Sequence, residues 1–205
     1  MMHVRFSPIS ADPRDLAGCI GYLKDEVRPV LETQHGSLGV SLLEGRGVVI
    51  SESFWATQEA LWLSRETDRE LRGELARRVQ RPVTANDYQV AVFERERPPG
   101  QAIRLTWMKV KPAGVPDLVH VYGDTAVPQL ADTPGFRETL LFADPEGGQL
   151  ISQTGWRDPA ARAASPSVAE MIRSDVPADD DCQIRAVEDY RLVFESATKP
   201  GPPQG

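Results

Sequence analysis

The side chains best suited to chemistry come in two matching sets. Ser51, Ser53 and Trp55 alternate along one run, and Ser152, Thr154 and Trp156 along another, so on extended strands each set shares one face. Small hydroxyls beside a large aromatic leave volume and supply hydrogen-bonding groups, as a pocket for a flat polar aromatic requires. Packing offers the tryptophans an alternative: filling the core between helix and sheet while the hydroxyls bond neighbouring backbone. Arg5 with Ser7, and Arg104 with Thr106, make a second matching pair of faces. A guanidinium there can hold a carboxylate or a phenolate; it can equally pair Glu52, Glu94 or Glu195 across strands. These eight positions, Trp55, Ser51, Ser53, Arg5, Trp156, Ser152, Thr154 and Arg104, are the substrate-binding candidates, and none is assigned a catalytic role.

Histidine is the usual proton acceptor near neutrality. His3, in a terminal segment, and His120, off the apolar stripe of its helix, are both expected to face solvent. His35 precedes Gly36, where a cation at a helix end is favoured by the dipole. The sequence has no Ser-His-Asp order, phosphate-binding glycine loop or dinucleotide fingerprint. Cys19 and Cys182 lack a second cysteine or histidine at ligand spacing, so no metal or other cofactor is expected and both thiols read as inert. Asp179, Asp180 and Asp181 read as an exposed, solubilising loop.

Elements that would position these residues repeat with a period of about 100. Val4-Arg5-Phe6 returns as Ile103-Arg104-Leu105, Pro29 as Pro128, Gly36 as Gly135, Trp55 as Trp156, Ala60 as Ala161 and Val92-Phe93-Glu94 as Val193-Phe194-Glu195. Linker-like composition at residues 95–101 and 198–205 bounds the copies at 1–96 and 102–197, with 198–205 a flexible tail. In the first copy a strand at 3–8 is followed by a helix from Asp12-Pro13, with Leu16, Ile20, Leu23, Val27 and Leu31 on one stripe and Pro29 expected to kink or end it. A hairpin at 37–43 and 47–55 comes next. An uninterrupted helix then spans Thr57–Val79, its charges read as a solvated face, before a strand at 88–94. The second copy predicts strands at 103–110, 136–142, 149–156 and 188–195 and a helix at about 116–132. Pro159, Pro166 and Pro177 confine its later helix to roughly 167–175. Each copy is thus a βαββαβ, ferredoxin-like sheet with helices on one face. Two such modules can cover each other's bare sheet face as an intramolecular pseudo-dimer.

The whole has 205 residues, 40% hydrophobic and 26% charged, with a net charge of −7, as expected of an ordinary globular protein. No basic face suggests nucleic acid. No run approaches the ~20 apolar residues of a membrane span or the length of a signal peptide, so a soluble, cytoplasmic protein without a membrane partner is expected.

The segments Val27-Arg28-Pro29-Val30-Leu31, His35-Gly36-Ser37-Leu38-Gly39 and Ile50-Ser51-Glu52-Ser53-Phe54-Trp55, with their second-copy counterparts Val127-Pro128-Gln129-Leu130, Thr133-Pro134-Gly135-Phe136 and Ile151-Ser152-Gln153-Thr154-Gly155-Trp156, resemble the antibiotic biosynthesis monooxygenase domain of the dimeric α+β barrel superfamily. The resemblance spans nearly the whole chain. It implies an α+β fold of tandem ferredoxin-like modules forming an intramolecular dimeric α+β barrel, with further homo-oligomerisation open. It also implies a cofactor-independent monooxygenase taking a small phenol, quinol or polyketide-like aromatic together with molecular oxygen, or a noncatalytic binding or structural protein on the same scaffold. Trp55 and Trp156 match the family's pocket tryptophan. Ser51 and Ser152 stand where polyketide-oxidising members carry asparagine, and Arg65 and Pro166 where haem degraders carry histidine. Because only the first copy is expected to carry a complete second helix, its site beside Trp55 is the one expected to survive, with Trp156 left to packing.

Overall fold

The computed structural model describes residues 1–95, 98–172 and 182–196. The chain divides into two compact units: Met1–Gln89 with the segment from Leu192 onward, and Val90–Arg191. Its elements are β1 (His3–Ser10), α1 (Leu16–Tyr22), α2 (Arg28–Glu32), β2 (Ser37–Glu44), β3 (Val48–Trp55), α3 (Gln58–Leu63), α4 (Arg65–Val79), β4 (Asn86–Arg95), β5 (Ala102–Lys109), α5 (Val115–Val121), α6 (Val127–Ala131), β6 (Phe136–Asp144), β7 (Gln149–Trp156), α7 (Pro159–Ala164), α8 (Val168–Ile172) and β8 (Gln183–Glu195). The fold is α+β. In the first unit β1 lies between β3 and β4, with β2 outside β3; in the second β5 lies between β7 and β8, with β6 outside β7.

Proline acts differently from the expectation that it kinks or ends the first helix. One π-helical turn, Leu23–Val27, joins α1 to α2, and the Arg28 N–H reaches back to the Leu23 carbonyl. Pro29 then falls in the first turn of α2, where its missing N–H costs nothing. The second unit repeats this with the turn Tyr122–Ala126, the Val127 N–H on the Tyr122 carbonyl, and Pro128. The first helix also starts later than expected: residues 13–15 form a turn and Asp15, not Asp12, is the N-cap.

The expected continuous helix over Thr57–Val79 breaks at Ser64 into α3 and α4. The Ser64 hydroxyl donates to the Leu61 carbonyl at 2.8 Å, competing with the helical bond that carbonyl would accept. Ser165 ends α7 in the same way, donating to the Arg162 carbonyl at 2.7 Å. The two breaks differ in depth: Ser64 keeps helical angles and α4 follows at once, whereas Ser165, the residue before Pro166, is extended with ψ 143 and no helix resumes until Val168, as the proline requires. Of the later second-copy helix, α8 at Val168–Ile172 is described; its expected continuation, Pro177, Asp179–Asp181 and the tail 198–205 lie outside the described residues. The last strand begins at Gln183, earlier than the expected residue 188.

Close approach explains one repeated glycine. Gly36 has φ +75 and Gly135 φ +88, and a Cβ at either would lie 2.5–2.6 Å from the methyl of Ala60 or Ala161. The loop before each hairpin thus rests on the start of the following helix, which only glycine facing alanine permits.

Candidate functional site

A cavity in the first unit lies between the β1–β3 face and the helices. The strands contribute Ser7, Ile9, Ser51 and Ser53, the first helix Leu23, Val27 and Leu31, and α4 Asp68, Leu71, Arg72 and Leu75, with Val83 beyond it. Ser7 and Ser51 are direct partners across the β1–β3 ladder, and Ser53, two residues on, faces the same way. The cavity's volume is about 20 Å³, and it opens to solvent at its mouth.

Asp68 is the ionisable group in this cavity that sequence reasoning missed. The signal was present: the stripe Leu61, Ser64, Asp68, Leu71, Leu75, Val79 runs at helical spacing, so a carboxylate sits on an apolar face. It is buried, 2.6 Å from Arg72 Nε and 3.6 Å from an Arg5 terminal nitrogen. Burial of an ion pair this close requires that all its members be held in place.

Arg5 supplies that restraint. Its guanidinium is buried and donates to both Asp87 oxygens at 2.8 and 3.2 Å, to the Ser64 hydroxyl at 3.0 Å and to the Leu61 carbonyl at 3.1 Å. Arg104 repeats the arrangement with Asp189 at 3.4 Å, the Ser165 hydroxyl at 3.1 Å and the Arg162 carbonyl at 3.0 Å. Both arginines therefore pair with aspartates and not with Glu52, Glu94 or Glu195. Their chemistry ties the helix break to the strand, and Arg5 meets the cavity through Asp68.

Trp55 and Trp156 are both wholly buried. Trp55 Nε1 donates to the Ser53 hydroxyl and Trp156 Nε1 to the Thr154 hydroxyl, each at 3.1 Å, and Trp156 meets Phe136 edge-on with ring centroids 5.8 Å apart. Trp55 is not one of the cavity's lining residues; it orients Ser53, which is.

In the second unit Tyr122 stands where the first has Leu23, each at the head of its π-helical turn. Tyr122, wholly buried, places its hydroxyl 2.7 Å from the Ser152 hydroxyl and 2.5 Å from that of Thr139. Burial pushes this phenol's pKa up, with the two hydroxyls opposing.

His3 is buried, against the expectation of solvent exposure, because it lies within β1 opposite Trp55 and Gln89. Burial and the neighbouring amino terminus lower its pKa, and Asp87 opposes them. His120 is exposed and pairs with Asp124 at 3.3 Å; His35 is exposed in the turn after α2. Cys19 is buried, and burial pushes its thiol up to about 11. Among the described residues, no group of three or more histidine, cysteine or acidic side chains could hold a metal ion, and no helix is long and apolar enough to cross a membrane.

No family model matches the sequence. An uncharacterised protein of Mycobacterium tuberculosis is 29% identical over 156 residues, covering 74% of this chain and 70% of that one. Among solved structures, the fold is similar to that of a candidate monooxygenase of Lactobacillus acidophilus, with TM-score 0.68, 12% identity and 96% of each chain covered. An anthrone oxidase-like protein gives TM-score 0.64 at 17% identity, covering 95% of this chain and 92% of that one. A ferredoxin-fold protein of Listeria monocytogenes related to antibiotic biosynthesis monooxygenases gives TM-score 0.54 at 9% identity, covering 94% and 95%. The chain thus shares the ferredoxin-type fold of monooxygenase-like proteins.

Proposed function

We propose that the protein is a cofactor-independent monooxygenase that binds a small phenol or quinol in the first-unit cavity, with molecular oxygen as co-substrate. The observation that carries this reading is the cavity's composition: three serine hydroxyls, one buried carboxylate and the Arg72 guanidinium converge among apolar side chains that must shift to admit a ring, in a fold shared with monooxygenase-like proteins. Ser7, Ser51 and Ser53 bond the substrate oxygens. Asp68 takes the phenolic proton and Arg72 offsets the anion that results. Arg5 positions Asp68, and Trp55 positions Ser53. A hydroquinone and dioxygen then give a hydroxylated quinone and water, one oxygen atom in each product, with all electrons coming from the substrate. The protein's part is to orient, deprotonate and exclude water.

Oxygen uptake with a panel of hydroquinones and anthrones tests this. Uptake by the wild type that falls at least tenfold in Asp68→Asn supports it; no uptake with any member of the panel overturns it.

One set of observations favours a noncatalytic binding protein instead: Arg5, both indole N–H groups and the Tyr122 hydroxyl are all satisfied within the protein. Ligand binding without oxygen uptake would select that reading.

The proposal extends to organisation. Residues 1–96 and 102–197 are two copies of an antibiotic biosynthesis monooxygenase-like module, one chain supplying both halves of the dimeric barrel, acting in the cytoplasm. Recurrence supports it: the π turns, the bulges at Ser37/Gly39 and Phe136/Glu138, and the Arg5–Asp87 and Arg104–Asp189 pairs all return at matching positions.

A further inference from the structure

Ser51 and Ser152 are counterparts by register: Ser51 pairs with Ser7 and Leu42, Ser152 with Thr106 and Leu141. Their hydroxyls are satisfied differently. Tyr122 opens the π-helical turn of the second unit and sets its hydroxyl 2.7 Å from that of Ser152 and 2.5 Å from that of Thr139, so one oxygen atom joins the helix layer to β6 and β7. Leu23 opens the equivalent turn of the first unit and has no hydroxyl to offer. Ser7 and Ser51 are direct partners across the β1–β3 ladder, and both are more than nine-tenths buried. Neither hydroxyl bonds another side chain or the backbone among the described residues, and both line the first-unit cavity. Asp68 lies in the same wall. Arg5 and Arg72 both meet its Oδ2, which leaves Oδ1 for another donor.

We propose that this cavity is a binding site for one resident water molecule, held by the Ser7 and Ser51 hydroxyls and Asp68 Oδ1, which does for the first unit what the Tyr122 hydroxyl does for the second. Volume sets the number. About 10–15 Å³ is enough for a single water, and the cavity has about 20 Å³, room for one and too little for an organic ligand unless its walls move. Charge and polarity set the kind. The Asp68 carboxylate turns away an anion, and the two guanidiniums against it leave no excess negative charge to hold a cation. Dry cavities are apolar, whereas two hydroxyls and a carboxylate oxygen give a water the partners that it needs. The water donates to Oδ1 and to one serine and accepts from the other, so each of these buried groups is satisfied. Its partners stand on β1, β3 and α4, and it therefore ties the long helix to the sheet as the Tyr122 hydroxyl ties helix to sheet in the second unit. It also gives the carboxylate, locked at Oδ2 by the arginines, a contact that exchanges with solvent at the mouth. On the reading above, a substrate oxygen takes over these bonds from the water.

This water belongs to the resting protein, so its test is independent of oxygen uptake, and the probe is water itself. A crystal structure of the whole protein should show one ordered water within roughly 2.5–3.0 Å of Ser7 Oγ, Ser51 Oγ and Asp68 Oδ1. In solution, nuclear Overhauser effects from water should reach the methyl groups of Leu23 and Leu75, which line the cavity, with the sign of a bound and not a diffusing molecule. Ser51→Val removes a hydroxyl and fills the space with methyl groups, and it should abolish both signals; Ser152→Ala, in the other unit, should leave both unchanged. Ser7→Ala takes away one of three partners without adding volume, and serves if Ser51→Val does not fold. It should shorten the residence of the water roughly tenfold, read by magnetic relaxation dispersion. Ser7 and Ser51 hydroxyls bonded to each other or to the backbone with no water between them, or Overhauser effects that persist in Ser51→Val, overturn the inference. If the water is found and no quinol is oxidised, the monooxygenase reading falls alone. If the water is missing while oxygen uptake depends on Asp68, the water site falls alone.

Discussion

Arg5 Nε lies 2.8 Å from Asp87 Oδ1, and the two residues are themselves direct partners across the β1–β4 ladder. The pair closes one edge of a network that runs through Ser64 and Asp68 to the cavity. Arg104 and Asp189 are ladder partners in the same way across β5 and β8, but their carboxylate is far more exposed: Asp189 is 48% accessible against 23% for Asp87.

That difference sets unequal costs. Arg5→Met should destabilise the protein by about 2 kcal/mol, since it takes a buried, charge-assisted partner from Asp87, Asp68, Ser64 and the Leu61 carbonyl, although Asp68 keeps Arg72 and Asp87 keeps Arg65. Arg104→Met should cost about 1 kcal/mol, because water solvates Asp189 when its partner is gone. Urea denaturation of the two variants measures both, and equal losses would contradict the assignment.

Trp55→Ala and Trp156→Ala should each cost about 3–5 kcal/mol, because both indoles are wholly buried. A modest loss at Trp55 would suit a residue walling an open pocket, and the structure gives it no such exposure. Trp55→Phe should retain most of the packing while releasing the Ser53 hydroxyl into the cavity, at a cost of about 1 kcal/mol. Thermal and chemical denaturation check all three.

Gly36→Ala should destabilise by about 2 kcal/mol or more, combining a left-handed backbone with a methyl 2.5 Å from Ala60 Cβ. The double variant Gly36→Ala with Ala60→Gly removes the collision and keeps the backbone strain. It should be more stable than the sum of the single changes, which a double-mutant cycle measures directly.

Cys19 should resist alkylation in the folded protein at pH 8 and react once the chain is unfolded. Burial raises its thiol from 9.0 to about 11, so the folded state keeps the proton that the unfolded state releases. The stability this contributes is complete below pH 9 and is lost as pH rises from about 9 to about 11. Denaturation midpoints across that range, compared with Cys19→Ala, should show the alkaline decline weakened in the variant.

Much of the architecture could be read locally. Alternation placed Ser51, Ser53 and Trp55 on one strand face, and helical spacing found Leu16, Ile20, Leu23, Val27 and Leu31, because periods of 2.0 and 3.6 are properties of neighbouring residues. The recurrence of Gly36 and Ala60 as Gly135 and Ala161 was equally visible, although only their 2.5–2.6 Å approach explains why both members repeat.

Tertiary structure decided the rest, for reasons of distance along the chain and of volume. Arg5 had several carboxylates in reach by type, and the β1–β4 register chose Asp87, 82 positions away. Asp68 read as one charge among many on a helix until the Ser64 break and the Arg5 contact showed its side to be the buried one. Leucine or tyrosine at the head of the π-helical turn satisfies the same apolar pattern. Only the structure shows that Tyr122 reaches Ser152 while Leu23 and Ser51 line a small cavity, because a periodic pattern records which face is buried and not how completely the space behind it is filled.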